Sequence, residues 1–300
     1  MEPFPEAAPQ APAPPSPGPL REALAAFVAT ITLGYLFSEI AVRAVAAAHE
    51  GPEAFGSREA LWRAALTMAG AFAAMAAVIL AEAVVLATGV RLSGLPARER
   101  LRLGPSGAGP GVLAAMIGCM ILLSHGLDAA VHLSGLDEYG ALGLLHGLFE
   151  GASAADLSVA AVLVGVGVGT MEEMLFRGFI QPGLAGWLGP ARGILAASIL
   201  FGAAHMDAVQ GPMAVLLGLY LGSVTEWSGS IRPAIACHVA NNLFGTLAPA
   251  IIPFAPSPTS HAVSLAVSAA GLAIGIPWIR RRLPPRADGV GGFEGSPSTD

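Results

Sequence analysis

A chain of 300 residues that is 54% hydrophobic and 12% charged, with a mean hydropathy of +0.66, is not an ordinary soluble globular domain, in which about a quarter of residues carry charge. The net charge of -6 comes without a basic stripe interleaved with aromatics, which excludes nucleic acid as a partner. Cys119 and Cys237 both lie in apolar runs and form no CxxC pattern, so they read as small hydrophobes and exclude a disulfide framework.

Residues 1–20 form a Pro/Ala-rich, acidic tail, without the basic and apolar regions of a signal peptide. A membrane-crossing helix takes about 20 mostly apolar residues. Eight stretches approach that requirement, which predicts an all-α, polytopic helical bundle. They run from about Ala23 to Ala47, Leu61 to Val90, Gly111 to Leu133, Leu157 to Phe179, Ala191 to Met206, Ala208 to Trp227, Ile231 to Ile252 and His261 to Ile279. The fifth is short. Between the third and fourth, EYGALGLLHGLFEGASAAD is too broken to span and reads as an interfacial helix. Residues 284–300 form a second disordered tail. No internal repeat divides residues 21–283, so they are one transmembrane domain.

Arginine placement orients the spans. Arg91, Arg98, Arg100 and Arg102 lie between the second and third, and Arg280, Arg281, Arg282 and Arg286 follow the last. Both groups should be cytoplasmic. The third connection carries Asp137, Glu138, Glu150 and Asp156 and no arginine, so it should face outside. An even number of spans then places both termini in the cytoplasm. Arg58 and Arg63 conflict with this scheme, because they sit near a connection it places outside. All fifteen basic residues are arginine, and Ala, Gly and Pro are abundant, which suggests a GC-rich, bacterial source and hence an inner-membrane location.

Three polar intrusions break the apolar runs. In TMEEMLFRGF, Glu173 and Arg177 are four apart and share a helix face. Glu172 is turned about 100° away and lacks that partner. Desolvation disfavours the charge on an unpaired carboxylate, which equips it to exchange a proton with water. In FGAAHMD, His205 follows Phe201 by one turn. In IACHVANNLFG, His238 and Asn242 share a face and Asn241 is rotated off it. Polar residues inside a membrane face a bundle interior or a wet cavity and mark function. A carboxylate, two imidazoles and an amide can activate water and stabilise an oxyanion. Glu172, His205 and His238 can instead hold a divalent metal such as zinc with an open position. Spacing does not decide between the two, and HExxH is absent.

EExxxR, FxxxH and HxxxN, in this order on successive helices, resemble the CPBP family. That family includes CAAX prenyl endopeptidases of the Ras-converting type and bacterial Abi and bacteriocin-processing relatives. The flanking FRGFIQPGL and GSIRPAIACHVANNLFG are also similar, so the resemblance covers residues 170–245. It implies an intramembrane endopeptidase of about eight helices with a cytoplasm-facing polar cavity. It implies that Glu172 activates the water with His205 as its partner, that His238 and Asn242 stabilise the oxyanion, and that Glu173 with Arg177 orients the site. The family has been described both as metalloproteases and as metal-independent glutamate proteases. Asn242 beside His238 suits an oxyanion hole better than a metal shell. The implied partner is a membrane-embedded or lipid-anchored protein or peptide substrate within the lipid bilayer. The competing readings are a non-catalytic immunity or scaffold protein on the same fold, and a proton-coupled transporter.

The remaining polar residues carry weaker expectations. His125 and Asp128 read as an outer-end polar pair. Glu82 is an isolated intramembrane acid that lines the cavity or pairs with Arg43. Glu226 and Trp227 read as an interfacial anchor. His49, His132, His146 and His261 read as solvated. Cys237 is turned away from His238 and is not a nucleophile. Gly165, Gly167 and Gly169 read as surfaces for close helix packing rather than a nucleotide loop.

Overall fold

A computed structural model describes residues 18–139, 152–251 and 257–283, and among them the regular structure is entirely helical. Nearly all of the expected N-terminal tail, the whole C-terminal tail and most of the expected interfacial segment, His146 included, lie outside the described residues. The helices are α1 (Gly18–Glu50), α2 (Arg58–Ala65), α3 (Met68–Ser93), α4 (Ala97–Arg100), α5 (Pro110–Ser134), α6 (Ala154–Leu188), α7 (Pro190–Ala204), α8 (Gln210–Ser228), α9 (Arg232–Ile251) and α10 (Pro258–Arg282).

Five of them, α1, α3, α5, α6 and α10, are long and apolar enough to cross a membrane. In α10 only 11% of the most apolar window is buried within the protein, so its apolar surface calls for lipid rather than a protein core. The expected fifth, sixth and seventh spans are helical as α7, α8 and α9 but are not among the five. At 15 residues α7 is short, as its sequence indicated.

The second expected span is not one helix. The chain stops at Ala65 and restarts at Met68, where the Thr67 hydroxyl accepts from the Gly70 N–H at 3.0 Å. A side-chain oxygen in that position satisfies one of the orphan donors of a new helix. Arg63, one of the two arginines in conflict with the orientation scheme, sits on the short α2 and pairs with Glu50 at 2.6 Å.

Close helix contacts set the site. A Cβ on Gly165 would lie 2.5 Å from Leu243 Cδ2, and one on Gly169 would lie 3.3 Å from the Val239 nitrogen, so glycine lets α6 approach α9. A Cβ on Gly167 would lie 2.7 Å from Ile79 Cδ1 on α3. The expectation of packing surfaces holds for all three. The α6–α7 junction also needs a glycine: Gly189 has φ 82, and Pro190 opens α7 at a position where its missing N–H costs nothing.

Between α7 and α8, a Cβ on Gly202 would fall 2.6 Å from the Gly211 carbonyl oxygen and 2.4 Å from Val215 Cγ2. Backbone cannot step aside as a flexible side chain can. Gly202→Ala should therefore push the two helices apart at a cost of about 1–3 kcal/mol, read as a lower thermal midpoint in detergent. An unchanged midpoint would show that this contact is loose.

Candidate active site

The centre lies on α6. Its helix widens to i→i+5 hydrogen bonding over Ala161–Val168 and again over Met174–Ile180, and the five α-helical residues between are Gly169–Glu173. Such widened turns recur at functional sites because they re-aim side chains without ending the helix. Glu172 and Glu173 close the α-helical turn.

Glu173 is fully buried, and its Oε1 accepts two hydrogen bonds. Arg177 Nη1 donates at 2.7 Å from the same helix, and His238 Nδ1 lies at 2.8 Å from α9. The expected Glu173–Arg177 pair is present. It also does more than brace one helix, because the same oxygen anchors His238 across 65 residues of chain. With Nδ1 donating to Glu173, His238 turns Nε2 toward Glu172, whose Oε2 is 3.6 Å away. That separation is too long for a hydrogen bond. Glu172 is the more accessible carboxylate, 15% exposed, and remains outside the buried pair as expected.

Phe201 forms the wall between these groups. Its ring meets His205 at 4.9 Å, Phe176 at 5.0 Å and His238 at 6.0 Å, all edge to face, and Arg177 Cζ lies 4.4 Å from its centroid. His205 caps α7, and its Nδ1 lies 2.9 Å from the Phe201 carbonyl. An imidazole that donates there leaves its Nε2 lone pair for other work. The imidazole that faces Glu172 is that of His238, and His205 joins the group through Phe201. Spacing marked Phe201 only as a neighbour of His205; its contacts with α6 and α9 are long-range.

Asn242 Nδ2 donates to the Val164 carbonyl at 3.2 Å, within the first widened stretch of α6. One amide hydrogen thus ties α9 to α6, and the other is left for a second acceptor. His125 packs edge to face on Phe244 at 5.0 Å, close along α9 to Asn242. Asp128 instead faces His132 at 3.7 Å. His132 is not simply solvated: it meets Asp137 at 2.9 Å and stacks on His261 at 4.6 Å. Glu226 accepts from Arg102 and Gln181 and ties the arginine-rich loop to α6 and α8. Cys237 is fully buried.

Arg43 pairs with Glu39 at 2.8 Å, which removes the expected alternative of an Arg43–Glu82 pair. Among the described residues, no three His, Cys, Asp or Glu side chains gather into a set that can hold a metal ion. Glu172, His205 and His238 are therefore not gathered as a zinc shell in this structure.

Residues 154–244, which contain Glu172, Glu173, Arg177, His205, His238 and Asn242, match the family described as type II CAAX prenyl endopeptidase Rce1-like. No curated protein and no solved structure gives a significant match.

Proposed function

We propose, for a chain whose residues 154–244 belong with the Rce1-like type II CAAX prenyl endopeptidases, consistent with the CPBP family, that it is an intramembrane endopeptidase acting on membrane-associated protein or peptide substrates. The observation that carries this reading is the bridge from Arg177 through Glu173 to His238, which leaves an unpaired Glu172 carboxylate 3.6 Å from an oriented imidazole.

Glu172 takes the proton of an attacking water as the water oxygen bonds to the scissile carbonyl carbon. His205 presents Nε2 to the same water. The carbonyl oxygen becomes an oxyanion and receives hydrogen bonds from Asn242 and, in its doubly protonated form, from His238 Nε2. Collapse breaks the C–N bond, and the proton held on Glu172 passes to the leaving amine. Glu173 and Arg177 touch no reacting atom; they hold His238 in place.

From the arginine distribution we infer cytoplasmic termini, from the apolar stretches and the family resemblance about eight spans with a cytoplasm-facing cavity, and from the lysine-free composition a bacterial inner membrane. Membrane proteomes from cells carrying the wild type and Glu172→Gln test the activity on whatever substrates the cell supplies. New protein termini should appear only with the wild type. Identical terminus profiles in the two strains would sink the endopeptidase reading.

A further inference from the structure

Glu82, on α3, is 2% exposed, and its Oε2 has no hydrogen-bond partner among the described residues. Two contacts fix its height. A Cβ on Gly167 would lie 2.7 Å from Ile79 Cδ1, and one on Gly89 would lie 2.6 Å from the Phe179 ring. Ile79 and Gly89 ascend α3 in the order in which Gly167 and Phe179 ascend α6, so the helices run parallel here. Glu82 falls between the two contacts, level with the turn that carries Glu172. Ile79 and Gly89 lie three residues before and seven after Glu82, so Glu82 shares the face of α3 that meets α6.

Charged groups on the other elements around α3 are matched or solvated. On α1, Glu39 is held by Arg43, and Glu50 is held by Arg63 of α2. On α2, Arg58 and Glu59 are exposed, as are Arg98 and Glu99 on α4. Arg100 of α4 meets Glu22 at 3.5 Å. On α6, Glu173 is held by Arg177 and His238, and Asp156 is bonded to Ser153 in the first turn. Among the described residues, the basic side chain within 4 Å of the Glu172 carboxylate is His238, at 3.6 Å.

Two neighbouring carboxyls in an apolar interior do not both stay charged. We propose that Glu82 is a positioning residue for Glu172: the two carboxyls hold one proton between them, which fixes the Glu172 oxygen that faces His238. During hydrolysis Glu82 keeps that proton while Glu172 takes one from water and returns it to the amine. The consequence for rate rests on the endopeptidase reading; the shared proton does not.

The test compares Glu82→Leu with Glu82→Gln in purified full-length protein. The activity probe is a quenched-fluorescent farnesylated peptide ending in cysteine, two aliphatic residues and a variable residue. Glu82→Leu replaces a buried carboxyl with an apolar side chain of similar size, and such a swap is often neutral in stability, so its thermal midpoint should stay close to wild type. Its kcat should drop about 100-fold, the scale of a misplaced reacting group, with KM little changed. Glu82→Gln can still donate to Glu172 and should recover kcat to within a few-fold of wild type. Infrared difference spectra should show a protonated-carboxyl band that is lost in Glu82→Gln and displaced in Glu172→Gln. Wild-type kcat in Glu82→Leu, or equal losses in the Leu and Gln variants, overturns the proposal. So does an infrared band that survives Glu82→Gln. A wild type that leaves this peptide intact excludes it as a substrate, and the infrared result then decides Glu82 alone.

Discussion

Glu172→Gln should remove cleavage while the protein folds as before. The substitution keeps the size and hydrogen-bonding reach of the side chain but cannot accept a proton from water. General-base catalysis of this kind is worth about 10²–10⁴-fold in rate, so the residual activity should fall to the background of the assay. Folding should be spared because Glu172 stands outside the buried Glu173–Arg177 pair and a glutamine in its place can still hydrogen-bond to a neighbouring carboxyl. The thermal midpoint in detergent should stay within a degree or two of wild type. A variant with wild-type melting and wild-type turnover would remove Glu172 from the mechanism. The same variant is suited to capturing substrate in native membranes, because Glu173, His238 and Asn242 keep their contacts.

The largest loss of stability should come from Arg177→Met. Arg177 and Glu173 are 1% and 0% exposed, and their oxygen–nitrogen separation is 2.7 Å. Removing the guanidinium leaves the carboxylate buried with only His238 against it, and breaking a buried pair in this way costs about 3–5 kcal/mol. Arg177→Lys should rescue poorly, because an ammonium lacks the planar face that Arg177 lays over Phe201 at 4.4 Å. Glu173→Gln in the same chain should recover part of the loss, since no unmatched charge is then buried. A double-mutant cycle in thermal stability measures that coupling. Additive losses from the two substitutions would show that the pair does not act as a unit.

The local part of this geometry was legible in the sequence. Glu173 and Arg177 are four residues apart, and helix periodicity alone joins them. The glycines of α6 were recognisable as packing surfaces because nothing else explains three small residues in an apolar run. The link from Glu173 to His238 was not legible, because it spans 65 residues and depends on which faces of α6 and α9 meet. Phe201 was visible as a spacing, but its contacts with Arg177 and His238 come from three helices converging. Glu82 gave a signal, a lone acid in an apolar span, without a partner to interpret it. The break at Thr67 was hidden because apolar residues flank a capping side chain on both sides. The widened turns of α6 had no signature that periodicity could separate from an ordinary helix.

The shortness of α7 bears on how the second reactant arrives. Fifteen residues at 1.5 Å each rise about 22 Å, against a hydrocarbon layer of about 30 Å. A helix that starts near one surface therefore ends before it reaches the other, and His205 stands at that end. Polar backbone at such a depth is tolerated only beside protein or a water-filled space. A water-filled space beside that end would bring solvent to the imidazole. A substrate tethered to the bilayer would arrive sideways, by diffusion in the plane. Hydrolysis would then take place where the two supply routes cross, one along the membrane and one perpendicular to it.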